Sequence, residues 1–552
     1  MKKMRNEENE KMMKQYVNKH RTMGNRTWRM ISRAAFLIFS FSHFLIFSIS
    51  CSGPQLPEQF SEANVLPKIY PDYTDVTVPV NIAPLCFELL NEADEAVARF
   101  SAGDAELLVE GRKVRPDIDE WRWLTAQASG GSISVEVFAG HDGQWLRFKP
   151  FAIHVSPDSI DPWLSYRLIS PSYVSYEELT INQRCLENFD EAVIADNMLC
   201  STESGGQCIN CHSFQNYNPQ RMQLHARQTH GGTLIAYDGQ LEKMPATLPR
   251  TPVYPAWHPT ERLIAYSTNS TVQAFHTVDV DKIEVYDSQS ALLLYDIDRQ
   301  QMSVVEDLPD EMETFPAWAP DGRSLYYCSA HFEYEADSID LEEVTLRAEE
   351  LKYNIYRRSF DPVSHQFGER ELVFCADSLP ASATGKAAEG QEGGSATLPR
   401  ISPDGRWLMF TMGRYGTFHI WHRDADLWMM ELDSLLATPT ARDSSFSWPN
   451  ATDGQLRVRN MDELNSLNAE SYHSWSSNGR WVVFSSRRHD GVFTRPFFAH
   501  IDEDGRGSKP FELPTADPDL HLQLLKSYNV PELMRGPVSL TPQQIAAKLK
   551  EE

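Results

Sequence analysis

The chain lacks the short motifs that mark several large enzyme classes. Its 552 residues contain no His-Glu-x-x-His zinc motif, no Gly-x-Ser-x-Gly nucleophile elbow, no phosphate-binding P-loop and no Gly-x-Gly-x-x-Gly dinucleotide fingerprint. A hydrolase is therefore the least favoured class of function, and the sequence does not indicate an enzyme.

Positive charge is scarce after the N-terminus. The first 33 residues hold ten Lys or Arg and three Glu, whereas the whole chain has a formal charge of −26. The remaining residues therefore carry about −33, and a surface this acidic repels phosphate backbones. We expect no nucleic acid partner.

An export signal follows the basic N-terminus. Residues 34–50, AAFLIFSFSHFLIFSIS, form a 17-residue apolar run that ends immediately before Cys51. Ile49, Ser50 and Cys51 fit a bacterial lipoprotein signal, although Ser48 stands where Leu is usual. The sequence predicts a signal peptide over residues 1–50, lipidation of Cys51, and an outer-membrane lipoprotein that faces the periplasm. A cell-surface location and an uncleaved anchor helix are the alternatives.

Composition divides the rest of the chain into five parts. Residues 51–75 are rich in Pro and polar residues, as in a tether, and residues 76–160 alternate in short runs that predict a small β-sandwich. Residues 161–232 indicate loops and short helices around a Cys-x-x-Cys-His run. Residues 233–515 contain an internal repeat, and residues 516–552 are interpreted as a C-terminal tail.

The repeat has four copies that align without gaps. They are AWHPTERLIAYST from Ala256, AWAPDGRSLYYCS from Ala317, RISPDGRWLMFTM from Arg400 and SWSSNGRWVVFSS from Ser474. Pro-Asp-Gly suits a tight turn, so each copy predicts strand, turn, strand. An Arg column (Arg262, Arg323, Arg406, Arg480) and an aromatic column (Tyr266, Tyr327, Phe410, Phe484) run through all four copies. We expect these aromatic rings to pack between the blades of a β-propeller with four to six blades.

The Cys-x-x-Cys-His run, Cys208 to His212, has three functional interpretations. In c-type haem attachment, Cys208 and Cys211 form thioethers and His212 binds the iron. In a zinc site, the spacing Cys208-x2-Cys211-x13-His225-x4-His230 fits four ligands. A structural disulfide or redox dithiol is the third interpretation. Haem c is favoured because the export signal sends the chain to the compartment where bacterial c-type haem is attached, and because zinc leaves His212 unexplained.

The second axial ligand of such a haem has three candidates, and the alternative is a five-coordinate haem with no second ligand from the protein. Met222, His225 and His230 all follow the run closely enough to reach the other face of the ring. His225 is favoured because residues 219–232, PQRMQLHARQTHGG, have helical composition and a Gly-Gly end.

The Pro-Asp-Gly column resembles the TolB-type propeller repeat. The whole chain also resembles a family of Gram-negative exported lipoproteins in which a TolB-like propeller follows a Cys-x-x-Cys-His segment, and whose members are described as "TolB-like protein" or "cytochrome c biosynthesis protein". The resembling stretches are YPDYTDVTVPVNIAPL, CINCHSF, HARQTHGGTLI, NAESYHSWSSNGRWVVFSSRRHDG and LLKSYNVPEL. The resemblance implies a mainly β fold, with a TolB-type propeller after the small β-sandwich and the short α/loop segment.

Two functions follow from these features. The first is periplasmic electron transfer or redox sensing through haem c, with an unidentified periplasmic or outer-membrane protein docked on the propeller. The alternative is a non-catalytic TolB-like binding scaffold whose Cys and His cluster is structural or binds zinc.

The lipid anchor gives a first test. Replacing Cys51 with Ser removes the thiol that would carry the lipid, so Cys51→Ser should yield a soluble or unprocessed protein instead of a membrane-bound one. Mass spectrometry of the N-terminus checks this, and an intact, unmodified stretch over residues 34–50 in the wild-type protein would contradict it.

Overall fold

Strands dominate the protein, which is therefore mainly β. The computed structural model describes residues 53–171, 178–201, 207–228, 230–276, 283–336, 338–379, 393–432 and 458–551. The predicted signal peptide and Cys51 lie outside these ranges. None of the helices within them has the length and apolar character needed to cross a bilayer.

The first ten strands form two sheets that enclose one apolar core. The larger sheet has the order β1-β9-β8-β10-β3, with β5 and β6 attached through β8, and the smaller has the order β2-β4-β7. The strands are β1 (Ser61–Glu62), β2 (Ile69–Tyr70), β3 (Val76–Pro79), β4 (Phe87–Leu89), β5 (Glu95–Ala102), β6 (Ala105–Glu110), β7 (Lys113–Val114), β8 (Gly131–His141), β9 (Gln144–Arg147) and β10 (Phe151–Ser156).

Two features of this region differ from the sequence prediction. Strands β1 and β2 lie within residues 51–75, which were assigned to a tether. Strand β1 pairs with β9, and Ile69 of β2 is buried in the core of the two sheets. Helix α1 (Ile118–Gln127) was not predicted. It begins at Asp117, whose side chain accepts hydrogen bonds from the Asp119 and Glu120 amides, and it buries Trp121 in the same core.

The remaining strands form six four-stranded groups in the described residues. The groups are β13-β12-β11-β34, β14-β15-β16-β17, β18-β19-β20-β21, β22-β23-β24-β25, β26-β27-β28-β29 and β30-β31-β32-β33, and one bridge between Ser290 and Met312 joins the third to the fourth. The strands are β11 (Trp163–Ile169), β12 (Thr180–Cys185), β13 (Glu191–Asp196), β14 (Ile209–Phe214), β15 (Arg221–Ala226), β16 (Gly232–Tyr237), β17 (Gln240–Lys243), β18 (Val253–Trp257), β19 (Leu263–Phe275), β20 (Ile283–Asp296), β21 (Gln301–Glu306), β22 (Glu311–Trp318), β23 (Ser324–His331), β24 (Asn354–Asp361), β25 (Gln366–Phe374), β26 (Ser395–Ile401), β27 (Trp407–Gly413), β28 (Asp426–Glu431), β29 (Val458–Asn460), β30 (Glu470–Trp475), β31 (Trp481–Ser486), β32 (Arg495–His500), β33 (Phe511–Glu512) and β34 (Ser527–Met534).

These six groups follow one another around a closed, propeller-like ring. One edge strand of each group, namely β14, β18, β22, β26, β30 or β34, contacts the corresponding strand of the next group. Strand β34 contacts both β30 and β14, so the last strand of the chain closes the ring.

The structure predicted for two segments is wrong, because both segments supply strands to this ring. Residues 161–232 were expected to be loops and short helices, yet they supply β11 to β15, and β15 replaces the helix predicted over residues 219–232. Pairing with β14 and β16 outweighs the helical composition of β15. Residues 516–552 were expected to be a tail, yet β34 pairs with β11 along its length.

Short helices fill the connections. In the described residues they are α2 (Asn197–Cys200), α3 (Leu341–Leu346), α4 (Leu520–Gln523) and α5 (Pro542–Leu549), with single 3-10 turns at Gln215–Tyr217, Ala348–Glu350 and His419–Trp421. Helix α5 begins with a capping box between Thr541 and Gln544. It buries Ile545 and Leu549 in the core that the first two groups of the ring share.

The repeat copies have the predicted local structure. Gly322 and Gly405 lie in the turns between β22 and β23 and between β26 and β27, and both adopt positive φ. Tyr327, Phe410 and Phe484 are fully buried. The ring centroid of Phe410 lies 4.8 Å from that of Phe374 in the preceding group, so the Phe410 ring packs between adjacent groups, as predicted.

Removing one of these rings should therefore destabilise the whole protein. We expect Phe410→Ala to lower the free energy of unfolding by about 3 to 5 kcal/mol, because the buried ring contacts two groups at once. Urea unfolding measures the change. The control is Leu467→Ala, since Leu467 is 80% exposed, and an equal loss in both variants would contradict the packing.

Candidate functional site

The Cys-x-x-Cys-His run lies at the centre of the ring. Cys208 immediately precedes β14, and Cys211 and His212 lie within β14. This strand belongs to the second group and lines the cavity at the centre of the ring. Cys208 is 5% exposed, Cys211 7% and His212 1%. Both cysteines are free thiols, and burial raises the pKa of Cys211.

Cys211 lies in a β-bulge, and an equivalent bulge occurs in the inner strand of each group. The inner strands are those that contact one another around the ring, namely β14, β18, β22, β26, β30 and β34. In each group the pairing of the inner strand with its neighbour shifts register at this place. One residue of every inner strand there has a positive φ of similar size. These residues are Cys211 (53°), Tyr254 (48°), Phe315 (51°), Leu398 (54°), Tyr472 (50°) and Val530 (52°).

The residue after the bulge is also repeated. It is Pro255, Pro316, Pro399 and Pro531 in four groups, and His212 and His473 in the other two. His473 is 2% exposed, and its Nε2 lies 3.0 Å from the Met409 carbonyl oxygen in the second strand of the preceding group. His212 thus has the position of His473 in the repeat.

The two histidines share an electrostatic environment. Burial lowers the pKa of His212 to about 3, and the positive charge of Arg167 lowers it further, whereas the backbone of Ser165 in β11 opposes this. Burial likewise lowers the pKa of His473 to about 3. Neither ring nitrogen of His212 has a hydrogen bond of normal geometry to any residue that the structure describes. Both side chains are therefore neutral at physiological pH.

A cavity of about 140 Å³ lies where the inner strands meet. All six inner strands contribute to its wall, and Cys208, Cys211 and His212 are part of it. Charged side chains line it as well, namely Arg167, Arg227, Arg400 and Glu532. The sequence reasoning missed these four residues, because only the ring topology brings them together.

The three candidates for the second axial ligand, Met222, His225 and His230, are not grouped beside His212. Met222 lies on one face of β15, in the apolar core with Leu224, whereas His225 lies on the opposite face. The Nδ1 of His225 lies 2.9 Å from the Thr233 hydroxyl, and burial lowers its pKa to about 4. His230 lies beyond β15, and its buried Nε2 has no hydrogen-bond partner in the described residues.

The residues as arranged do not fit a haem group. Pockets that hold drug-sized ligands measure roughly 300 to 1000 Å³. The cavity beside Cys208 and Cys211 is much smaller, and His212 is buried beside the preceding group. Within the described ranges, no three His, Cys, Asp or Glu side chains are grouped closely enough to hold a metal ion. Haem and zinc both stay predictions.

Comparisons with known proteins do not assign the site. No family model matches the chain, and no curated protein matches it. Among solved structures, the tricorn protease is similar with 11% identity and a TM-score of 0.33, over 70% of this chain and 33% of that one. The Niastella koreensis GH74 enzyme has 7% identity and a TM-score of 0.32, over 86% and 56%. The chain thus spans about a third and just over half of these two proteins.

A third solved structure is an oligogalacturonate lyase in complex with manganese. It has 12% identity and a TM-score of 0.27, over 69% of this chain and 86% of that one. All three TM-scores lie below 0.5, so no activity, metal or substrate of these proteins is carried over to this chain.

The buried histidines predict a pH-dependent stability. An unfolded His has a pKa of about 6.5 and the folded pKa of His473 is about 3, so the unfolded chain binds more protons between these values. The contribution to stability is complete above about pH 6.5 and is lost as the pH falls toward 3. The free energy of unfolding of the wild type should fall as the pH is lowered from about 7 to about 5. We expect His473→Gln to make this fall smaller by about 1 kcal/mol per pH unit, as measured by urea unfolding. His212→Gln should have a similar effect. If the free energy of unfolding depends on pH in both variants as it does in the wild type, the two histidines are not buried in the neutral form.

Proposed function

We propose that the protein is a non-catalytic binding scaffold of the cell envelope. In this proposal the ring is a six-bladed propeller of TolB type, anchored through a lipid on Cys51, and it presents its surface and central cavity to a partner. The Cys-x-x-Cys-His run is then part of a blade and does not attach a cofactor.

The observation that carries this proposal is the sixfold bulge. Cys211 and His212 stand in the same positions as Tyr254–Pro255 and Tyr472–His473, at the same φ and the same shift of register. A residue pair that a blade needs for its geometry requires no second role to explain it. The apolar 17-residue run before Cys51 supports the location in the envelope.

The repeat itself suggests the substitution that separates the scaffold from the haem protein. Pro stands in the place of His212 in four of the six groups. His212→Pro should therefore fold, whereas an iron ligand cannot be replaced by Pro. The control is Ser213→Pro, one position later, which puts Pro where the strand is paired with Gln223 and should cost about 3 kcal/mol or more.

The experiment is expression of both variants and the wild type together with c-type haem maturation proteins. We expect all preparations to lack covalent haem in the visible absorption spectrum, and His212→Pro to unfold at a higher urea concentration than Ser213→Pro. A covalently bound haem whose spectrum changes in His212→Pro would overturn the proposal and restore the electron-transfer function.

A further inference from the structure

A buried guanidinium without a counter-charge lies beside the Cys-x-x-Cys-His run. Arg167, in β11, is 5% exposed and lines the central cavity. Its Nε has no hydrogen-bond partner, and no carboxylate in the described residues pairs with it. Buried charges are normally paired, because removing an isolated charge from water is strongly unfavourable. Arg167 therefore requires an anion that the described residues do not supply.

The repeat shows that Arg167 is not needed to build a blade. It pairs in register with Asn529, next to the bulge. In four other groups the corresponding residue of the second strand is small and fully buried. These residues are Ser267, Cys328, Thr411 and Ser485. A long charged side chain at this position is thus a departure from the repeat.

The charge of the cavity wall favours an anion as well. Arg227 and Arg400 also line the cavity. Among the described lining residues the one carboxylate is that of Glu532, and it pairs with Arg400 at 3.1 Å. The charge of Arg167 acts on Cys211, His212 and Tyr472, which places it at the centre of the ring.

The rest of the wall combines aromatic rings with polar side chains such as Asn210, Thr271 and Gln273. Tyr254, Phe315, Phe418 and Tyr472 line the same space as Arg167. The cavity measures about 140 Å³, and an apolar cavity of about 150 Å³ is known to hold benzene. The aromatic part of the wall suits a ligand with a small apolar body, and Arg167 suits one anionic end.

We propose that the central cavity binds a small organic carboxylate, with the Arg167 guanidinium as the partner of the carboxylate group. A planar guanidinium can donate two parallel hydrogen bonds to a carboxylate, which gives both charge neutralisation and orientation. This assignment deepens the binding function proposed above and rests on it, since a haem attached at Cys208 and Cys211 would occupy the same space.

Calorimetric titration of the full-length protein with benzoate tests this site. We expect benzoate to bind, and its neutral isostere benzamide and inorganic phosphate to bind at least tenfold more weakly. Arg167→Met should weaken benzoate binding at least tenfold. Arg167→Lys keeps the positive charge but loses the planar pair of N–H donors, so it should weaken binding less. The matched control is Arg299→Met, because Arg299 is 66% exposed and pairs with Asp296 on the surface.

The variants also separate binding from folding. Arg167→Met removes an unpaired buried charge, so the ligand-free variant should unfold at the same or a higher urea concentration than the wild type. Absence of heat with benzoate up to about 10 mM in a haem-free sample would overturn this site alone. Benzoate binding that Arg167→Met leaves unchanged, or tighter binding of phosphate, would overturn it too. Covalent haem in the same sample would instead overturn the proposed scaffold function.

Discussion

Pairing between β11 and β34 is the interaction on which the ring depends. Strand β34 comes from the last 26 residues of the chain, and it completes the group that β11, β12 and β13 begin. The same strand contacts β14 and β30 on either side, so the first and last groups are joined through it. Each of the six inner strands in the described residues therefore contacts an inner strand on either side. Strand β34 also brings Glu532 beside Arg400, and both into the wall of the central cavity.

The closed ring constrains each inner strand to the same shape. Six bulges lie at one level of the ring, and each holds a residue other than Gly at positive φ, followed by Pro or His. A run such as Cys-x-x-Cys-His can satisfy this constraint without a cofactor, since Cys211 supplies the bulge and His212 the residue that follows it. In the scaffold that we propose, function is carried by residues that depart from the repeat, and Arg167 is one of these residues.

The sequence alone predicted the repeat, its turns and its aromatic column, because these are local patterns with a fixed spacing. It did not predict the full ring. The helical composition of residues 219–232 concealed β15, and the distance along the chain between β11 and β34 concealed their pairing. One signal was present: Cys-His-Ser-Phe at 211–214 matches Tyr-His-Ser-Trp at 472–475 and Tyr-Pro-Ala-Trp at 254–257. Aligning these stretches extends the repeat into the motif and places His212 correctly. Arg167 gives no comparable signal, since its lack of a partner is a property of the folded ring.

Reactivity of the two thiols tests the central claim most directly, which is that Cys208 and Cys211 are buried, unmodified residues of a blade. The measurement is alkylation of the full-length protein, with peptide mass spectrometry, before and after unfolding in urea. The account predicts that both thiols are protected in the folded protein and that both are alkylated once it unfolds. Thiols that remain unreactive after unfolding would reveal thioether bonds to haem, and thiols that react in the folded protein would reveal an exposed dithiol; either result would contradict the account.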